Sequence, residues 1–189
     1  MAIATIDTRR FTREEYERLV EQGFFHPEEK LELIEGVIYE MTPQSSYHAT
    51  GVRMAERALS PFYEHGFDIR CQLPLALGLD SEPEPDIAIV TGKPEDYLAS
   101  HPATAALVVE VADSSLIHDR KRKIRLYARA GIPDYWLTNL VDWRLEVYRD
   151  PKEGGYQTCT VLRPGDSIAP LAKPDLEIPV SDLLPFSGK

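Results

Sequence analysis

Cysteine is nearly absent: Cys71 and Cys159 are the only two in 189 residues. They stand too far apart, with too few companions, for a disulfide framework or a zinc site. Both lie in apolar stretches and read as reduced thiols of the core. Long apolar runs are missing too, so nothing in the sequence is expected to span a bilayer. The first residues lack a basic stretch followed by an apolar one, which argues against a signal peptide. A cytoplasmic location is therefore the expectation. There is no internal repeat, low-complexity stretch or linker. Positive charge is scarce as well: 21 Lys and Arg against 31 Asp and Glu give a net charge of −10. A protein that coats nucleic acid without preference needs many cations for phosphate contacts, so that class is excluded. A local basic surface is not. Arg120, Lys121, Arg122, Lys123, Arg125 and Arg129 fall within ten positions.

What is present is the makings of one globular domain. A hydrophobic content of 43% supports a core, and the length suits one domain better than two. The expected unit is 1–189, with a core over about 28–162 and a proline-rich, acidic tail wrapping the surface over 163–189. Thr12 predicts an N-cap for a helix to Gln22. Leu31 to Met41 predicts a hairpin turning near Glu35-Gly36, or one strand with a glycine bulge. Ser45 or Ser46 can cap a second helix to about Glu64, with Val52, Ala55, Leu59 and Phe62 on one face. Strands are expected around 68–77, 86–90 and 106–112, the last a buried central strand. Asp119 predicts the cap of a helix to Ala130, closed by Gly131 and Pro133. Three more strands should cover 135–139, 144–149 and 156–162, the last two a hairpin around Glu153-Gly154-Gly155.

Two acids stand out in this pattern. Asp86 opens one apolar strand. Glu110 interrupts another, Leu107-Val108-Val109-Glu110-Val111, that otherwise reads as fully buried. Buried carboxylates need a cation or a partner. If the two strands run antiparallel, the start of one meets the end of the next, and both acids could bind one Mg²⁺ or Mn²⁺ through oxygen. Glu82 and Glu84 add to the acidity around Asp86. On the following helix Asp119, Lys123 and Tyr127 share a face, and the helix N-terminus favours phosphate. Such a set suits metal-assisted phosphodiester hydrolysis. Each feature alone has a plainer reading: a turn, a sheet-edge acid, a solvated helix face.

Taken in order, Glu84-Pro85-Asp86, Val108-Val109-Glu110-Val111, Asp119-x-x-x-Lys123-x-x-x-Tyr127 and Gly131-Ile132-Pro133-Asp134-Tyr135-Trp136 resemble the Uma-two family of endonucleases. That family belongs to the PD-(D/E)XK, restriction-endonuclease-like superfamily. Leu31-Glu32-Leu33-Ile34-Glu35-Gly36 and Tyr47-His48 fit the same pattern. The resemblance implies an α+β fold, a mixed β-sheet flanked by helices, here with an additional C-terminal β-hairpin. It implies Mg²⁺-dependent hydrolysis of DNA. Asp86 and Glu110 would be metal ligands, Glu35 an N-terminal acid adding to the metal shell, and Lys123 the catalytic lysine. Ala112 stands where the superfamily's usual lysine would follow the glutamate. Lys121 points to the other side of the helix from Lys123.

His48, Gln72 and Tyr127 are possible accessory residues. For His48 and Gln72 the plainer readings are a polar group at a helix start and a sheet-surface amide. His118 beside Asp119 is a weak ligand signal, and His26, His65 and His101 read as surface residues. Tyr135 and Trp136 read as core or interface aromatics. A flat hairpin over 145–161 could serve as the surface of a homodimer. The leading reading is a DNA endonuclease. Its rivals are a catalytically silent module that binds nucleic acid or protein on the same fold, and a hydrolase of a small phosphorylated molecule.

Overall fold

Alternation along the central strands decides the layers. The computed structural model describes residues 8–41, 43–113 and 116–185, without the side chains of residues 116–119 and 121. In chain order the elements are α1 (Arg13–Glu21), β1 (Leu31–Ile34), β2 (Val37–Glu40), α2 (Ser46–Leu59), β3 (Phe67–Arg70), β4 (Ile87–Thr91), β5 (Leu107–Ala112), α3 (Leu116–Arg129), β6 (Asp134–Asn139), β7 (Arg144–Lys152), β8 (Gly155–Leu162), β9 (Ser167–Ile168) and β10 (Ile178–Pro179). All six positions of β5 and of β6 are buried. Side chains alternate across a strand. Leu107, Val109 and Val111 therefore pack with Val52, Ala55 and Leu59 of α2 on one face. Val108 and Ala112 pack with Leu126 and Tyr127 of α3 on the other.

The sheet has the order β3-β4-β5-β6-β7-β8. Only the β5–β6 pair is parallel, and α3 makes that crossover. Its neighbours β3–β4, β4–β5, β6–β7 and β7–β8 are antiparallel. The mixed sheet with flanking helices and a C-terminal hairpin is the architecture expected from the sequence.

Several boundaries differ from expectation. The strand expected over 68–77 stops at Arg70, because Gln72 adopts a left-handed φ of 52° and breaks the ladder. The second helix ends at Leu59 and tightens into a 3₁₀ turn, Ser60–His65, as Pro61 lacks the N–H that a helix interior requires. α3 begins at Leu116, so Asp119 lies inside the helix rather than at its cap; Asp119's side chain is outside the described residues, as are those of His118 and Lys121. Cys159 is exposed and Cys71 half-buried, both as free thiols. Cys159 is not a core residue because β8 is the sheet's edge strand. The tail does more than wrap: Ile178, Val180, Leu183 and Leu184 are buried in the cluster that α2 covers.

The β1–β2 hairpin turns through Glu35 (φ 50°) and Gly36 (φ 77°), the paired left-handed residues of a tight hairpin turn. A Cβ on Gly36 would lie 2.6 Å from the Arg10 Cβ, so only glycine fits. Backbone bonds between Leu33 and Glu82 tie the hairpin to the loop before β4 (Leu33 N to Glu82 O 3.2 Å, Glu82 N to Leu33 O 2.7 Å).

Candidate active site

The β4–β5 ladder runs Ile89–Leu107, Ala88–Val108, Ile87–Val109. One step further along that register, Asp86 comes opposite Glu110. The strands separate here, and the Asp86 side chain replaces the missing strand. Its Oδ2 accepts from the Val111 backbone N–H at 2.8 Å. In return the Asp86 N–H reaches Glu110 Oε2 at 3.4 Å. A ladder that ends in the protein interior must satisfy its last donors, and here a carboxylate does so.

Glu110 shares the α3 face of the sheet with Val108 and Ala112, so α3 supplies its partners. Lys123 Nζ lies 3.0 Å from Glu110 Oε1, and the Tyr127 hydroxyl donates to the same oxygen at 2.7 Å. One helical turn separates the two donors, which is why they converge. Burial raises the Tyr127 hydroxyl well above its ordinary pKa, and the Glu110 charge adds to this; Tyr127 therefore remains a donor. Gln72 Nε2 donates to Asp86 Oδ1 at 3.3 Å. His48 Nε2 lies 3.2 Å from Asp86 Oδ2. Burial works to lower the His48 pKa, but the Asp86 hydrogen bond and the charges of Asp86 and Glu110 outweigh it and raise the pKa. Burial likewise works to raise Asp86, and its His48 hydrogen bond, the His48 and Lys123 charges and the Val111 N–H bring it below the usual carboxylate range. The His48 Nδ1 has no hydrogen-bond partner among the described residues.

Asp86, Glu110, Lys123, Tyr127, Gln72 and His48 are thus brought together. Glu35 is not. Its side chain is 48% exposed and lies 3.5 Å from Arg129 Nη1, because a residue at the tip of a turn points away from the strands it joins. Glu32 takes the inward place. Strand alternation sets it on the face of Ile34, which packs with Tyr127, and its Oε2 lies 3.8 Å from Lys123 Nζ and 3.4 Å from the Glu84 N–H. Glu84 also lines the cleft. Burial raises its pKa, and the Glu32 charge raises it further. Sequence reasoning missed Glu32, although Leu31-Glu32-Leu33 carried the signal: an acid between two leucines of a strand, beside an acid already assigned to the turn.

These groups lie in a cleft of about 1120 Å³. Among the described residues, no group of three or more His, Cys, Asp or Glu side chains is placed to hold a metal ion. The donors are carboxylate oxygens of Asp86 and Glu110, with Glu32 and Glu84 beside them. Such a set fits a hard divalent cation of the Mg²⁺ type, which takes one or two carboxylates and keeps several waters. It does not fit a soft thiolate-loving metal, since Cys71 and Cys159 lie outside the cleft lining. No helix of the described residues is long and apolar enough to cross a membrane.

The fold has a solved counterpart. A crystal structure of a nuclease described as "putative" and as belonging to DUF820, from Anabaena variabilis ATCC 29413, superposes with a TM-score of 0.71 at 18% identity. The likeness covers 92% of this chain and 97% of that one. No curated protein matches the chain. Residues 13–181 match the Uma2 family, described as "Putative restriction endonuclease". The match takes in the β1–β2 hairpin, the opposed acids and the helix that bears Lys123, and the chain belongs to the Uma2 family.

Proposed function

We propose that the chain is a nuclease that hydrolyses phosphodiester bonds of DNA with the aid of Mg²⁺ or Mn²⁺. The observation that carries this reading is the opposition of Asp86 and Glu110 at the end of the β4–β5 ladder, with Lys123 Nζ 3.0 Å from Glu110. Asp86 and Glu110 would hold the cation. When bound, such an ion lowers the pKa of a water and offsets charge on the phosphate.

The chain's own groups supply the rest. Lys123 presents an ammonium at the floor of the cleft, where it can orient an attacking water or donate to a phosphate oxygen. Tyr127 fixes the Glu110 carboxylate through Oε1, and Gln72 with the Val111 N–H fixes Asp86. His48 lies beside Asp86, and the Asp86 hydrogen bond and charge favour its protonated form. Glu32 stands on the far side of Lys123 and limits the ammonium to a short path between two carboxylates.

A homodimer is part of the proposal. From Gly155 to Leu162 β8 carries no charged residue, and among the described residues it pairs with β7 alone. A long uncharged edge favours strand addition by a second copy.

Plasmid incubated with the protein in Mn²⁺, and again without it, tests the reading. Nicking that needs the ion and vanishes in Lys123→Ala is the expected result. Undiminished cutting by the variant would remove Lys123 from the mechanism. Absence of both cutting and metal binding would leave the fold as a binding module.

A further inference from the structure

The nuclease reading leaves open which form of nucleic acid the cleft admits, and three features of the cleft bear on it. The first is depth. The side chains of Asp86, Lys123 and Glu110 are only 10%, 10% and 4% exposed. A phosphate must therefore enter the cleft to meet them. A duplex would have to deform to lower one backbone to that depth, at a cost in bending energy, whereas an unpaired strand is free of that cost.

The second is charge. A protein that grips a duplex lays cations along two phosphate backbones. The basic run of α3 provides few at the cleft, since Arg125 is exposed but lies outside its lining. Arg120 is bound to Glu146 and lies 3.8 Å from Asp142. Arg129 is held by Asp80 at 2.8 Å and Glu35 at 3.5 Å. Of the described side chains of that run, Arg122 and Lys123 line the cleft, joined by Lys30, and the rim carries Glu28, Glu29 and Glu40.

The third is the wall. Arg122 sits over the Tyr39 ring, its guanidinium carbon 4.2 Å from the ring centroid. Phe25, Tyr16 and Met41 continue the apolar surface. Bases that are not paired stack on aromatic rings and on arginine planes. Paired bases, already stacked on each other, have no use for such a wall.

We propose that the cleft takes single-stranded DNA, with Arg122 and Tyr39 as a stacking platform for a base beside the scissile phosphate. The inference rests on the nuclease reading of the same site. Cations are needed at few phosphates, and the bases contribute the remaining affinity. An acidic protein can work this way on one strand.

A labelled oligonucleotide of about 20 nucleotides, longer than the ~4–16 covered by one binding fold, is presented alone and annealed to its complement. Binding is followed by fluorescence anisotropy in Ca²⁺, and cleavage in Mn²⁺. The single strand should bind and be cut about tenfold better than the duplex, the scale of one base stacked on an aromatic group. Arg122→Ala and Tyr39→Ala should each lose about tenfold in single-strand affinity, and Tyr39→Phe should keep it; thermal melts identify any variant that fails to fold. Equal or better handling of the duplex overturns the inference and leaves the nuclease reading standing. Unchanged affinity in folded Arg122→Ala and Tyr39→Ala overturns the platform. Cutting of neither form overturns both.

Discussion

Replacing Lys123 by methionine removes the ammonium from a group of carboxylates and keeps most of the side chain's volume. Lys123 is 8% exposed and lies 3.0 Å from Glu110 and 3.8 Å from Glu32. Removing one partner of a buried ion pair costs about 3–5 kcal/mol. Two features reduce that here: Tyr127 still donates to Glu110, and water reaches the cleft. The expected loss at pH 8 is about 2–3 kcal/mol, or roughly 4–12 °C in Tm for a chain of this size. The sign with pH follows from Asp86. Its pKa is held low in the folded state, in part by Lys123. Its contribution to stability is therefore present above the unfolded value and is lost as pH falls through the folded one. The Lys123→Met deficit should shrink in the same direction, below about pH 4. A divalent cation should then restore the variant more than the wild type. Occupancy at 100 times Kd stabilises by about 2.7 kcal/mol, and in the variant no ammonium competes for the carboxylates. Circular-dichroism melts at pH 8 and about pH 3, with and without Mg²⁺, measure all of this. A variant within about 0.5 kcal/mol of wild type at pH 8 would refute the ion-pair argument. A smaller Mg²⁺ response than wild type would refute the metal-site argument.

Glu32→Gln should lower cleavage at least tenfold and weaken Mn²⁺ binding, whereas Glu35→Gln should leave both within about twofold; the opposite ranking in a titration and a nicking assay would restore the acid at the turn. Glu82, pushed up to about 7 by burial and by its neighbour Glu17, destabilises the fold progressively as pH rises from the ordinary carboxylate range through 7. Glu82→Gln should therefore gain about 1–2 kcal/mol at pH 8 and little at pH 4, as read from urea midpoints. Asp134 is fully buried and accepts from Trp136 Nε1 at 2.8 Å, Arg149 Nε at 2.9 Å and the Leu171 N–H at 2.9 Å. Asp134→Ala strands all three donors and should cost about 3–5 kcal/mol without changing metal affinity per folded molecule. Thr160→Lys places a charge on the β8 edge and should turn a dimer into a monomer in light scattering; a wild type that is already monomeric would remove the dimer from the proposal.

Much of this was legible because the signals were local. The capping box at Thr12 and Glu15, the apolar run broken by Glu110, and the Gly154 turn each state their element within a few residues. The meeting of Asp86 and Glu110 was legible only on the condition that their strands run antiparallel, which the β4–β5 ladder meets. What stayed hidden depended on contacts distant in sequence. Glu32 and Glu35 are indistinguishable by type, and only the anchoring of the hairpin to the loop at Ser81 and Glu82 sends one inward and the other out. The start of α3 was misplaced because an aspartate is an equally good first-turn residue and cap. Cys159 was assigned to the core because an apolar strand reads alike at a sheet's centre and at its edge.

Asp86 closes the open end of a ladder as well as facing Glu110. Its carboxylate therefore answers to two kinds of selection, and they do not lapse together. A descendant that abandoned its chemistry would still need an acceptor for the Val111 N–H, and would retain the aspartate as masonry. His48 leans on the same corner, its ring against Asp86 and its pKa raised also by the Val111 backbone. On the nuclease reading, an intact Pro-Asp in a relative of this chain would thus be no proof of activity.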